Sequence, residues 1–198
     1  MPSLCEACRN VREVRTARSR FLLCGLSIGA VEVVVPATLD AMGHRDLTGL
    51  LLGFWGVGSM LAGLLVARGG APRDPARRLM LLLAGWSAAH AAIGAAGAPV
   101  TLALVLLVAG AAIAPTLVCA NGMLDHLAPV GALTEAFTWT QTGLVVGVAG
   151  GSAVAGALVE ATSPGAAMAL LAGGGALAAL LVRAASAGPL AQPAPTAA

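Results

Sequence analysis

The residue best placed for chemistry is Glu32. It stands 11 residues into the apolar run Phe21–Ala41, about 16 Å along a helix axis at 1.5 Å per residue, near the middle of a hydrocarbon core about 30 Å thick. A carboxyl group at that depth is costly and points to function: it can carry a proton or hold a cationic solute. The competing reading is a neutral Glu hydrogen-bonded to a neighbouring helix. His90 lies equally deep in the run Leu79–Gly97, and helix packing is the role expected of it. Thr138, Gln141 and Thr142 are spaced i, i+3, i+4, which puts them on one face of a helix. With Asn121 they offer polar groups to a solute passage; hydrogen bonds between helices are the other use of such groups. Pro36 interrupts the same run as Glu32, and Pro115 interrupts the run Val100–Leu124. A proline inside a helix frees a carbonyl and kinks the axis, which serves a gate or is simply tolerated in a membrane. Both readings stay open.

The elements holding these residues follow from composition. Of 198 residues 58% are hydrophobic and 10% charged, against about 25% charged in a soluble domain. All 11 basic residues are Arg, and the net charge of +2 gives no footing for nucleic acid. Six runs approach the length of about 20 residues that a spanning helix needs: Phe21–Ala41, Leu47–Ala67, Leu79–Gly97, Val100–Leu124, Glu135–Val159 and Ala166–Val182. None alternates as a membrane strand does. The fold class expected is all-α integral membrane with six transmembrane helices.

Arginine placement sets the orientation. Arg9, Arg12, Arg15, Arg18 and Arg20 precede the first run, Arg68, Arg73, Arg77 and Arg78 lie between the second and third, and Arg183 follows the sixth. Arg45 alone falls on the other side. Positive charge stays cytoplasmic, so both termini are expected inside a multi-pass plasma-membrane protein. Residues 1–20 read as a basic segment acting as a solvated anchor, with a basic helix lying on anionic lipid as the alternative. Residues 21–183 form the membrane domain, and 184–198, rich in Ala and Pro, read as a disordered cytoplasmic tail.

The domain repeats internally, as units 21–97 and 100–183. Gly58–Val66 and Gly151–Val159 agree at six of nine positions, and Leu79–Ala88 and Ala167–Ala176 at six of ten. Pro36 and Pro115 each follow the start of their run by 15 residues. Three helices per unit is an odd number, so the second unit enters from the opposite side. This predicts an inverted 3+3 repeat, a transporter architecture. The small residues Gly56, Gly58, Ser59, Ala62 and Gly63, and likewise Gly147, Gly150, Gly151, Ala155 and Gly156, are expected to let backbones approach closely.

The segment Gly63-Leu64-Leu65-Val66-Ala67-Arg68-Gly69-Gly70 resembles the loop motif G-x-x-x-D-R-x-G of the major facilitator superfamily, with Ala67 at the acidic position and the basic pair coming late as Arg77-Arg78. Gly29–Pro36 and the stretch from Leu127-Ala128-Pro129 to Thr134–Trp139 are similar to that family too. Over about Phe21–Val182 the chain resembles the C-terminal six-helix half of an efflux transporter of the kind found in actinobacteria. The resemblance implies transport of a small solute, proton-coupled and outward, through a cavity lined by the first helix of each three-helix unit. It also implies a second six-helix half, either a second copy or a separate subunit, since the family has twelve or more helices. The chain then reads as a truncated product, a split subunit or a dimerising half.

Other classes fare worse. A non-transporting remnant or accessory subunit is the main alternative. An intramembrane hydrolase using Ser59 and His90 is weaker, because the Gly expected after the serine is Met60. No enzyme activity, cofactor or metal is expected. Cys5 and Cys8 form a C-x-x-C pair with no second pair or nearby His, and Cys24 and Cys119 read as apolar fill. The expected orientation is testable: reporter fusions at Ala98 and Ser163 should report the outside and fusions at Pro72 and Pro129 the inside, and the reversed pattern removes the inverted repeat as well.

Overall fold

The computed structural model describes residues 4–69, 74–127 and 133–186. They form helices α1 (Leu4–Ala41), α2 (Thr48–Ala67), α3 (Pro75–Ile93), α4 (Pro99–Ala111), α5 (Ile113–Leu127), α6 (Leu133–Ala161) and α7 (Pro164–Ser186), with a 3₁₀ turn at Arg45–Leu47. No strand occurs among the described residues. Four stretches are long and apolar enough to cross a membrane: Arg18–Ala41, Arg45–Ala67, Pro99–Leu124 and Leu133–Ala161. Six were expected. The helix α3 opens on Arg77 and Arg78 and carries Ser87 and His90, and the described apolar part of α7 is the short Pro164–Gly173.

Helix ends are set by local chemistry. At the end of α1, Gly43 adopts φ 76°, where a side chain is disfavoured. His44 N donates to Leu39 O at 2.8 Å and Gly43 N to Asp40 O at 3.0 Å, the paired bonds of a Schellman stop. Pro75, Pro99 and Pro164 open α3, α4 and α7, using the position where a missing N–H costs nothing. Asp74 caps α3 by accepting from Arg77 N at 3.0 Å. The start of α1 differs from expectation. Residues 4–20 contain no Gly or Pro, so nothing separates the basic segment from the span, and one helix of 38 residues covers both. At the other end, the expected disordered tail begins within α7, which takes in Ala184, Ala185 and Ser186; residues 187–198 lie outside the described residues, as does Gly70.

α1 is the central helix: 50% of its apolar stretch is buried, against 11% for α2. Ala30, Val31, Val34, Val35 and Leu39 pack with Leu102, Leu106 and Ala109 of α4, Ile93 of α3, Ala155 of α6 and Met168 of α7. A second cluster joins Cys24 to Leu79, Leu83 and Trp86.

Two parallel helix pairs carry the closest packing, α1 with α6 and α2 with α4. A Cβ on Gly151 would strike the Leu26 carbonyl, and one on Gly29 the Val148 carbonyl and, at 2.8 Å, Ser152 N. In the other pair a Cβ on Gly58 would strike the Leu107 carbonyl, and one on Gly110 the Trp55 carbonyl and, at 3.2 Å, Ser59 N. The pairs are built alike, with Gly58 and Ser59 in the places of Gly151 and Ser152. Gly63 also packs closely, with a Cβ position 3.3 Å from Ala114, whereas Gly56 and Gly156 face open space.

This register corrects the matching of the prolines. Leu26 answers Leu107 and Gly29 answers Gly110, so Pro36 answers Leu117 and Pro115 answers Val34, two positions out. Their effects differ too. The chain breaks between α4 and α5 at Ala112, whose N–H turns back to Ala109 O at 3.2 Å. Pro115 supplies no N–H to the Ala111 carbonyl there. α1 runs through Pro36 without a break.

Adding a methyl group at Gly58 or Gly151 should therefore cost about 1–3 kcal/mol or more through overpacking. Thermal unfolding in detergent should fall clearly for Gly58→Ala and Gly151→Ala and stay near the parent for Gly56→Ala and Gly156→Ala.

Candidate functional site in the membrane domain

Between Ser19 and Leu39, Glu32 is the one exposed residue of α1. Its neighbours Val31, Val34 and Val35 are buried completely. The helix is enclosed on every other side, and at this point it presents a carboxyl group outward. No hydrogen bond or ion pair ties that group to another described residue. Pro36 lies one turn on and has no N–H to offer the Glu32 carbonyl. The carboxyl is thus without a partner among the described residues, and the carbonyl lacks the N–H that the residue four further on normally supplies.

The other expected residues do not gather there. A Cβ on Gly143 would meet Arg18 O at 3.0 Å, so Thr138, Gln141 and Thr142 lie level with the start of the apolar part of α1. Glu32 is about 21 Å further along the axis at 1.5 Å per residue. All three are exposed. Thr138 Oγ1 donates to Thr134 O at 2.9 Å and Thr142 Oγ1 to Thr138 O at 2.8 Å. Their hydroxyls are satisfied within their own helix, not by a neighbour. Thr134 falls inside the first turn of α6. Asn121 is half-buried on α5, and its Oδ1 is enclosed without a partner among the described residues. Of the loop-motif residues, Arg68 and Arg77 are exposed and Arg78 is half-buried.

His90 is fully buried. Its Nδ1 lies 2.9 Å from Trp86 O, its ring stacks on Trp86 at 5.0 Å, and the Trp55 ring meets it edge-on at 6.4 Å. No hydrogen bond joins it to Ser59, whose backbone packs on Gly110. Trp55 and His90 thereby link α2 to α3. Asp40 pairs with Arg45 at 3.6 Å on the exposed end of α1.

Three features escaped the sequence reading. Ser27 of α1 and Ser87 of α3 both donate to carbonyls of α7, Leu171 O at 3.4 Å and Ala172 O at 2.6 Å. Their only signal is a serine inside an apolar run. At the opposite end, Arg18 lies 5.1 Å from the centre of the Trp139 ring, and Trp139 Nε1 donates to Glu135 Oε1 at 3.4 Å. The pairing of Trp139 with α1 has no sequence signal. The third feature is a crevice between α1, α3 and α5.

Comparison with known protein families, with curated proteins and with solved structures finds no match to this chain.

The exposure of Glu32 has a direct chemical test. Thiol reagents act on the thiolate, which forms where water reaches. In a cysteine-free background, Glu32→Cys should react with a small methanethiosulfonate at least about tenfold faster than Val31→Cys or Val35→Cys. Equal rates would mean that Glu32 meets lipid or protein.

Proposed function

We propose that the chain is one six-helix half of a membrane transporter, inverted in its two three-helix units and related to the major facilitator superfamily. It moves a small solute outward in exchange for protons once a second six-helix unit covers its Glu32 face. The observation that carries this reading is the position of Glu32, an unpaired carboxyl presented from the most enclosed helix. A charge held against lipid at that depth costs a few kcal/mol. A water-lined cavity shared with a second unit removes that cost and gives the carboxyl access to protons and solute.

The two parallel helix pairs support the inverted repeat, because α1 with α6 and α2 with α4 touch through equivalent glycines. The break between α4 and α5 supports a moving part, since Ala112 is where the backbone has lost helical bonding within an apolar stretch. The one-sided arginines support a single orientation with both termini cytoplasmic.

In this mechanism Glu32 takes a proton when its face opens to one side and gives it up on the other, so solute and proton move in turn. The carbonyl left free by Pro36 is a second acceptor beside it for a donor group on the solute. Thr138, Gln141 and Thr142, level with Arg18, belong to the cytoplasmic entrance. The competing reading is an accessory subunit that does not transport. An adjacent reading frame encoding six further helices argues for the split transporter.

Glu32→Gln keeps the size and hydrogen bonding of the side chain but cannot ionise. In vesicles holding the assembled protein it should abolish pH-jump-driven transport while leaving expression nearly intact. Glu32→Asp should retain part of the activity with a shifted pH profile. Full activity with an unchanged profile in Glu32→Gln would remove Glu32 from the mechanism.

A further inference from the structure

The carboxyl of Glu32 calls for a partner that this chain does not hold. The other sectors of α1 are taken: Gly25 and Gly29 lie against α6, Ser27 reaches Leu171 O of α7, and Val31, Val34 and Val35 pack in the core with residues of α3 and α4. On the sector left to Glu32, one turn back and one turn on, stand Ile28 and Pro36, both half-buried and neither with a side-chain donor. The hydroxyl that α6 brings to this part of α1 is that of Ser152. It lies 3.2 Å from Gly29 O and 3.0 Å from Val148 O and is spent on those carbonyls.

Nor does the chain carry a cation to this depth. Its Lys and Arg total is 11, all Arg. Those flanking Glu32 in sequence, Arg20 and Arg45, stand 12 and 13 residues away, about 18 Å or more along a helix axis. Of the 3 histidines, His44 follows the end of α1 and His126 is in the last turn of α5. His90 is fully buried, with its ring against Trp86 and Trp55. This inventory separates two kinds of covering unit. A second copy on a twofold axis presents the same patch. That sets carboxyl against carboxyl, and each disfavours the ionised form of the other. A helix with Lys or Arg at mid-membrane supplies opposite charge and N–H donors together, the pairing by which ionisable groups are accommodated inside a bilayer.

We infer that the Glu32 face docks a different membrane protein, whose covering helix carries a lysine or arginine at mid-membrane, and not a second copy of this chain. The inference rests on the reading that a second unit covers Glu32, and it names the chemistry of that unit. It holds equally for a transporter half and for an accessory subunit, because the ion pair assembles the complex whatever the complex carries.

The experiment places the full chain, with a donor dye on a C-terminal tag, in phosphatidylcholine vesicles. The probes are acceptor-labelled synthetic transmembrane peptides of about 21 Leu and Ala residues whose central residue is Arg, Leu or Glu. Energy transfer reports association and does not depend on transport, so a chain that docks the Arg peptide but moves no solute strikes the transport reading alone. The Arg-centred peptide should bind the parent about fivefold more tightly than it binds Glu32→Gln, the size of one polar contact between helices in a membrane. Glu32→Asp should keep most of that preference, and the Leu-centred peptide should not distinguish the parent from Glu32→Gln. Moving the Arg to the peptide's end should remove the preference, a control that leaves the protein untouched. Equal binding of the Arg-centred peptide to parent and Glu32→Gln would overturn the proposal. Binding of the Glu-centred peptide as tight as that of the Arg-centred one would overturn it too. So would transfer between donor- and acceptor-labelled copies of the chain that Glu32→Gln abolishes, because a second copy would then be the occupant.

Discussion

Backbone-to-backbone contact between parallel helices is the constraint on which the rest of this fold depends. In lipid there is no hydrophobic gain from bringing two apolar helices together, so association has to come from close packing and polar contacts. Gly25, Gly29, Gly147 and Gly151 let α1 and α6 touch at the level of their carbonyls, and Gly58 and Gly110 do the same for α2 and α4. Ser152 adds a hydrogen bond to Gly29 O at 3.2 Å within the first pair. With those two pairs fixed, α3 and α7 close against α1 through Ser27 and Ser87, whose hydroxyls reach carbonyls of α7. The enclosure of α1 is the result, and Glu32 is notable only because of that enclosure.

The same packing separates the rigid from the deformable. α1 keeps its helical course through Pro36, packed against α6 and α7. The other proline lies on α5, which has α1, α2, α3 and α6 beside it, and one turn before it the chain parts at Ala112 into α4 and α5. A proline removes one hydrogen bond in either place.

Polar side chains divide accordingly into inward and outward groups. Ser27, His90, Thr116 and Thr140 are buried; Ser27 bonds to α7, Thr116 and Thr140 to their own helices, and His90 through Nδ1 to Trp86 O. Glu32, Gln141 and Thr142 face out. Inward groups fix the bundle, while outward groups at membrane depth need water, solute or a second subunit. Glu32 is the clearest member of the second kind, and the proposal for transport follows from that placement.

The class of the protein was legible in the sequence alone. Run length, scarcity of charge and lack of alternation required apolar helices, while the helix starts fall at Pro75, Pro99 and Pro164, ahead of the apolar runs counted from Leu79, Val100 and Ala166. The small-residue segments around Gly58 and Gly151 were legible as packing surfaces, because only glycine leaves a backbone uncovered. The depth of Glu32 was likewise a matter of counting residues. What the tertiary structure decided was direction. A helix that is apolar all round carries no stripe to say which side is inside, so nothing in the spacing distinguished Gly58, pressed on Leu107, from Gly56, facing open space. For the same reason the sequence could not place Glu32 outward, set Thr138, Gln141 and Thr142 a helix-length away from it, or choose Ala112 over Pro36 as the break. Each of those depends on which neighbour stands beside a given turn, and that is settled by contacts between residues far apart in the chain.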